Sequence, residues 1–592
     1  MIPAWFFGTM IAQHASTTTE AYGTGYPIKW TFVPFAVPVW MLVLSLITVV
    51  LKWLIVGKYK EGICPVQSTK YLRWWYVDRA MNLWEFWVGR YIQDTPLINL
   101  FYWMMGANIH RSASINAFVS EFDLVEIGAN TSIDHPINCR RFLPWDEGKS
   151  ALICIRQISI GKNCTVKGMV SLGAVVGDGA YIENLSVVSE GAKVHDKSCI
   201  TGNPAFCKVD AEPKSGTSHS WLIMGVLKVS WIIFELYLFF GIVLLGQFVW
   251  ANRLPSWRYT PLLGWILLLA WASLVSVVTS IVVKWLLIGK RRAGAYNDNL
   301  WRSVADWAAD WHYVVCTKFL LSFLITSRIR NIIAMLHGMD IDCISKIQGA
   351  VLFPSKLDLV KVRESFVSGI SVVSKGNGKY NKVEIMNSSI GYCVHIDASQ
   401  IDLEVENMIV APHVTVNSSL VGKERDARML ERFSWGWLLC HEVMTLLLNL
   451  LSFGLFVVTL IPSIEIFNKI VISESHWSQV LAIPGLAAAL ILQTMTWAIV
   501  LAGIQYIAMY GSEMKGCPWN KTVYAMYHTS IFAFQSFSCW KVFQGSPAFN
   551  FLVRILGGTF EGRAILMPSM LYEVSLLTFA DKTIISNAHL SG

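Results

Sequence analysis

A histidine near two carboxylates can take a proton from an amine or hydroxyl, and this chain offers such a set at His135, Glu121 and Asp123. A free imidazole titrates near pH 6.5, close to working pH, so it accepts and returns a proton readily. His135 lies in the loop-like run Asp134-His135-Pro136-Ile137-Asn138-Cys139-Arg140-Arg141-Phe142 and is the expected base. A solvated loop histidine is the other reading. Glu121 and Asp123 would orient that base or hold an amine, or else bond backbone at a chain corner. Arg140 and Asn203 are candidate substrate-binding groups, whereas His195 follows an apolar anchor and reads as structural. No trio of histidines has the arrangement of a zinc site. Acyl transfer from a thioester fits this set, because backbone N–H groups suffice for the oxyanion.

The elements that position these residues show in a spacing. Apolar anchors recur every sixth residue at Val176, Ile182, Val188, Val194 and Ile200, and Gly202-Asn203-Pro204-Ala205 follows. A period of six suits neither a helix nor a single strand, but it suits a coil with three short faces. Counting back by sixes from Ile127 reaches Glu121, Ile115 and Ile109. Ile160-Gly161 to Val166 belongs to the same pattern, and the register breaks between Asp134 and Ile158. The expected fold class is a multi-spanning α-helical membrane protein with tandem left-handed parallel β-helix (hexapeptide-repeat) domains.

Composition requires the membrane. Of 592 residues, 54% are hydrophobic and 15% charged, and the mean hydropathy is +0.47. Soluble chains carry about 25% charged residues. Five runs are long enough to span, near Phe35–Val56, Leu222–Val249, Leu262–Ile288, Trp437–Ile461 and Val480–Met509. Lys58-Tyr59-Lys60 and Lys290-Arg291-Arg292 follow spans and, within a net charge of +8, predict cytoplasmic ends and cytoplasmic soluble segments. The lipid bilayer is therefore an expected partner, and nucleic acid is not. Lys228, Glu235, His441 and Glu442 within spans suggest a transport path or helix packing. The 12 cysteines lack framework spacing and read as small buried thiols in a reducing compartment.

The chain also repeats. Lys52-Trp53-Leu54-Ile55-Val56-Gly57-Lys58 returns as Lys284-Trp285-Leu286-Leu287-Ile288-Gly289-Lys290, an offset of 232 (284 − 52). Gly106 returns as Gly338, and Phe122-Asp123-Leu124-Val125 as Leu357-Asp358-Leu359-Val360. A third copy starts near Gly545-Ser546-Pro547, with Glu573 in the place of Glu121. The expected boundaries are 1–62, a stub and first span; 63–215, the first β-helix module; 216–292, two spans; 293–432, a degenerate second module broken by the Gly-rich run Lys375–Asn381; 433–512, two spans; and 513–592, a truncated third module. Amphipathic aromatic helices are expected over Val88–Met105 and Lys318–Leu336, lying along the membrane interface or packed on the coil.

The series Gly89-Arg90-Tyr91-Ile92, Thr95-Pro96-Leu97-Ile98-Asn99, Gly106-Ala107, Glu121 to Gly128 and Gly202-Asn203-Pro204-Ala205 resembles the C-terminal membrane region of ε-poly-lysine-synthetase-like nonribosomal peptide synthetases. The resemblance implies a membrane-anchored acyltransferase that joins a thioester-bound acyl or aminoacyl group to an amine or hydroxyl. Arg140-Arg141-Phe142 stands where that family usually shows a histidine, so His135 would substitute for it. The donor would be a phosphopantetheine-type or CoA thioester, with no cofactor held by the chain itself. No adenylation or carrier segment is visible. A carrier protein or donor acting in trans, or in a missing N-terminal part, is the expected partner, alongside intramolecular packing of the three modules. The alternative is a non-catalytic membrane scaffold whose degenerate modules bind partners.

Overall fold

The computed structural model describes most of the chain from residue 33 to residue 591; the main stretches outside it are 1–32, 145–150, 203–205, 209–220, 254–260, 349–352, 423–434, 473–475 and 513–517. The chain divides into two compact units, Met1–Ile242 and Val243–Gly592.

In the first unit, helix α1 (Val33–Ile55) leads through a short strand, Gly62–Pro65, to α2 (Thr69–Trp84) and α3 (Pro96–Met104). Ser68 caps α2 by accepting from Tyr71 N–H at 3.2 Å, and Pro96 opens α3, where a missing N–H costs nothing. The expected single helix over Val88–Met105 is thus broken: Asp94 takes a positive φ of 56° just before Thr95-Pro96. Trp84 stacks on Phe101 at 3.7 Å between ring centres, and its indole N–H reaches Ser45 Oγ on α1 at 2.8 Å. Ile98, Phe101 and Tyr102 are buried while Leu97, Leu100 and Trp103 are exposed, so α3 packs with one face and shows a second apolar face outward.

Beyond α3 come strands of two to four residues stacked in parallel. One sheet runs Asn108–Ile109, Val125–Ile127, Ile158–Ile160, Val175–Val176, Lys193–Val194, and a second joins Ser114–Ile115, Ser132–Ile133, Thr165–Val166, Tyr181–Ile182 and Cys199–Thr201. Met169–Val170 and Val187–Val188 form a third. Partners such as Asn108 and Glu126 lie 18 residues apart (126 − 108), and all five anchors from Val176 to Ile200 are buried. The six-residue spacing therefore records successive strands of three sheets, each turning one side chain into the core. Ile137 still bridges Val119 in parallel, and the chain leaves the stack only beyond it, returning at Ile158. It forms an antiparallel hairpin, Arg140–Leu143 with Leu152–Ile155, and Gly62–Pro65 adds a third strand.

The expected fold class is corrected here. The described residues hold 12 α-helices and many parallel multi-strand sheets, and tandem left-handed β-helix domains are not shown. The reason is physical: a repeat of buried anchors fixes which residues pair in parallel, but it carries no hand. The pairings are also uneven. Val125 pairs with Ile158, Gly62–Pro65 and Phe206–Lys208 join antiparallel, and in the second unit Val360 pairs with Val383 but Val405 with Leu420.

The second unit contains α5 (Pro261–Leu287), α6 (Leu300–Phe323), α7 (Ile329–Leu336), a parallel stack from Asp340–Ile341 to Leu420–Val421, then α8 (Trp435–Ile472), α9 (His476–Ser512), α10 (Pro518–Phe537), α11 (Pro547–Ile555) and a short stack from Thr559 onward. Here α4 denotes Trp221–Arg253, within which the division between the units falls. The helix expected over Lys318–Leu336 is α6 followed by α7. Among the described residues, four helices are long and apolar enough to cross a membrane, over Val37–Ile55, Leu222–Phe239, Ala270–Leu287 and Leu439–Phe456. Where the fifth span is expected, the described residues of α9 include the apolar stretch Ile491–Ile507.

Each of the first two stacks is fastened to the preceding apolar helix in the same way. Lys52 Nζ pairs with Asp123 at 2.8 Å, and Lys284 Nζ with Asp358 at 2.9 Å, all four side chains being almost fully buried. The next residue repeats too: Trp53 donates to Met104 O at 2.9 Å, and Trp285 to Leu336 O at 2.8 Å. Gly106 (φ 105°) and Gly338 (φ 104°) lie under the two aspartates, and a Cβ on either would strike the carboxylate. Gly106→Ala, and separately Gly338→Ala, should therefore destabilise the protein by about 2–4 kcal/mol through backbone strain and overpacking. The thermal unfolding midpoint in detergent measures the loss, and an unchanged midpoint would show that the corner yields freely.

Candidate functional site

Glu121 opens the corner that carries Asp123. It takes a left-handed φ of 52°, and the turn Phe122–Leu124 then delivers the chain into strand Val125–Ile127. A non-glycine residue held there signals a surrounding that over-determines it. Both oxygens of the buried carboxylate are engaged: Oε1 accepts from Trp74 Nε1 at 2.9 Å and Arg140 Nη1 at 2.8 Å, and Oε2 from Cys139 N–H at 3.0 Å. Arg140 Nη1 also reaches Asp78 Oδ1 at 3.1 Å, and Asp78 pairs with Arg79. The guanidinium lies over the Trp74 ring, with Tyr71 and Phe142 closing the aromatic wall.

This is a buried charge network, and its titration follows from that. Burial opposes ionisation of Asp78, but Arg140 and Arg79 more than reverse it and hold the carboxyl below its ordinary value. Burial likewise opposes the Arg140 charge, and Asp78 and Glu121 overcome it, so that the guanidinium is held more firmly than usual. The Tyr71 hydroxyl is pushed up to about 12 by burial. Burial, then Glu121, raises the Cys139 thiol, which keeps it from serving as a thiolate nucleophile.

The sequence candidates are only partly gathered. Glu121 and Arg140 touch. Asp123 is occupied by Lys52 and by Tyr59 N–H at 2.9 Å. His135 is half-buried with Nδ1 3.1 Å from Pro136 O, and burial lowers its pKa. A neutral imidazole at pH 7 can accept a proton, but the carboxylates expected to orient it are taken up elsewhere. Asn203 lies outside the described residues. Lys228, read as a transport or packing group, donates to Asp94 Oδ2 at 2.5 Å, and Glu442 accepts from Ser327 Oγ and from Arg328 N–H at 2.8 Å.

Several participants are not evident from the sequence. Asp78 returns as Asp310 at the same offset of 232 (310 − 78), where it accepts from Ser355 N–H at 2.9 Å and Ser355 Oγ at 2.7 Å. Lys356 replaces Glu121 there, and the positive φ is lost. In the last stack Glu573 restores it, with φ 45°, and His528 Nε2 lies 3.2 Å from Glu573 Oε1 while its ring stacks on Tyr572. His528 and Glu573 form a histidine–carboxylate pair with the geometry expected of His135.

Helices apolar enough to span a membrane, joined to small parallel stacks through buried charges, define the class of structure. No family model matches the chain, and no solved structure matches it. Over 167 residues, 27% of this chain, it is 25% identical to the delta-poly-L-ornithine synthetase of Acinetobacter baumannii (strain AB307-0294). The chain spans about 12% of that relative's length.

Removing Arg140 would leave two buried carboxylates facing each other. Arg140→Met should cost about 3–5 kcal/mol at pH 7, as breaking a buried pair does. Asp78 is depressed in the folded state, so its contribution is present above the unfolded value of about 3.9 and is lost as pH falls through the folded value. In Arg140→Met the folded-state value rises, so the penalty is largest at pH 7 and is relieved as the carboxyls protonate, and the acid loss of the wild type should shrink or reverse. Unfolding midpoints followed from pH 7 to pH 3 test this; superimposable profiles would refute it.

Proposed function

We propose that the chain is a membrane-anchored, peptide-forming acyltransferase that moves an acyl or aminoacyl group from a thioester to an amine or hydroxyl. The observation carrying this reading is the 167-residue similarity to a polyornithine synthetase. The four apolar helices span the bilayer, and the basic runs Lys58-Tyr59-Lys60 and Lys290-Arg291-Arg292 favour a cytoplasmic side for the stacks. The donor is a phosphopantetheine or CoA thioester brought by another chain or another part of a longer one. The acceptor nitrogen attacks the thioester carbonyl carbon, a histidine takes the nitrogen's proton, and the C–S bond breaks as the sulfur leaves and is reprotonated. His135 is one candidate base, and His528 steered by Glu573 is the other.

A scaffold without catalysis is the second reading, favoured by the engagement of Glu121, Asp123 and Arg140 in buried pairs. Membranes carrying the intact chain, supplied with an aminoacyl-pantetheine thioester and a diamine, should yield an amide detectable by mass spectrometry. Loss of the general base should slow the reaction by about 100-fold or more. If His135→Ala has that effect and His528→Ala does not, the first stack is the active one, and the reverse result assigns the last. Absence of amide from the intact protein across a range of thioesters would favour the scaffold.

A further inference from the structure

The second unit contains a cavity of about 510 Å³ beside the last turn of α5, lined by Lys290, Arg291, Arg292, Arg302 and the aromatic residues Tyr296, Trp301 and Tyr380. Four cations line it, and among the described lining residues there is no carboxylate. Arg291 is the fixed point. It pairs with Asp306 and with the Tyr380 hydroxyl, its guanidinium lies 4.8 Å from the Tyr380 ring centre, and its N–H donates to Asp358 at 3.1 Å. One wall is a small antiparallel ribbon in which Gly294–Ala295 pairs with Lys379–Tyr380 and these with Lys375–Gly376. Tyr380, near the end of the Gly-rich run that interrupts the second stack, thus forms part of the pocket wall. Tyr296 packs on Tyr380 at 4.4 Å, while Lys290, Arg292 and the Trp301 ring remain exposed at the mouth.

We infer that this cavity binds a phosphate group. Guanidinium forks match the paired oxygens of a phosphate, and the exposed Lys290 and Arg292 add two cations beside Arg291, whose own charge Asp306 meets. The feature is particular to this copy: at the offset of 232 the position of Arg291 is held in the first unit by Tyr59, which keeps the N–H contact to its aspartate but brings no charge (291 − 59). Position adds a second reason. The cavity begins at Leu286, Leu287 and Ile288, where the apolar stretch Ala270–Leu287 ends, which is the level of lipid headgroups if that helix spans a bilayer. The phosphate could therefore belong to an anionic lipid or to the nucleotide or pantetheine part of a soluble donor. The inference holds whether or not the chain forms amides.

The test uses the intact protein in nanodiscs and in detergent. Nanodiscs of phosphatidylglycerol against phosphatidylcholine probe the lipid source, and CoA or inorganic phosphate in detergent probes the soluble one. Lys290→Gln/Arg292→Gln removes the two exposed cations and spares Arg291, whose contacts belong to the fold. The wild type should be thermally stabilised by at least one of these phosphate probes and not by phosphatidylcholine, and the double variant, with an unchanged midpoint in the absence of probe, should bind about tenfold or more weakly. Stabilisation by phosphatidylglycerol identifies a lipid site, and stabilisation by CoA a soluble phosphate. Stabilisation by neither, or equal binding by the double variant, overturns the inference.

Discussion

Everything in the first two stacks hangs on a lysine near the end of an apolar helix meeting an aspartate at a sheet corner. An isolated ammonium in a low-dielectric setting is expensive, and a buried pair offsets that cost only when its geometry is tight and its remaining bonds are met. Both copies use the same parts, but only Lys284 makes a hydrogen bond of good geometry to its aspartate, while the Lys52 ammonium meets Asp123 as an ion pair at 2.8 Å. Asp123 also accepts from Tyr59 N–H and Asp358 from Arg291 N–H, the lysine lies over the neighbouring tryptophan ring, and a positive-φ glycine leaves room for the carboxylate. A buried pair of this kind contributes less to stability than to uniqueness: it permits one rotation of the helix and one height of the stack. The last stack solves the same problem with neutral groups, since Gly557 lies beside Gln505 and Ser575.

Much of this architecture is legible in the sequence, and the omissions have physical causes. Buried anchors every sixth residue mark the strand positions because one side chain per strand must enter the core, whereas three-dimensional hand leaves no trace in such a period. The break after Asp134 is visible, but its partner is not. Gly62–Pro65 lies far away in sequence, and pairing of short exposed strands carries almost no compositional signal. Lys52 and Lys284 stand in plain view within the duplicated run, where only the repeat draws attention to them. A charge inside an apolar stretch is itself a pointer to a partner, and here it leads to Asp123 and Asp358. His528 has no periodic pattern around it to draw attention, although Glu573, its partner, is marked by the repeat.

The two histidine settings differ in what they can do. His135 has a lowered basicity and is oriented by a backbone carbonyl at Nδ1, so it can accept a proton but Glu121 and Asp123 do not steer it. His528 has a carboxylate neighbour and an aromatic ring against which its imidazole is held. Glu121 and Glu573 share an unusual backbone conformation but differ in role, since one is locked among Trp74, Cys139 and Arg140 while the other faces a histidine. Duplication has kept the corner and changed the group it presents.

The lysine–aspartate fastening also bears on how such a chain is made. Lys284 and Asp358 are 74 residues apart, and ribosomes add about 5–20 residues per second, so the lysine waits roughly 4–15 s for its partner. During that interval the helix carries an uncompensated charge at its end and can settle only with the ammonium reaching toward water. Its final depth is set when the sheet corner folds beneath it. Placement of the apolar helix and folding of the sheet are thereby tied into one sequence of events, with each of the first two stacks acting as the keystone that seats the helix made before it.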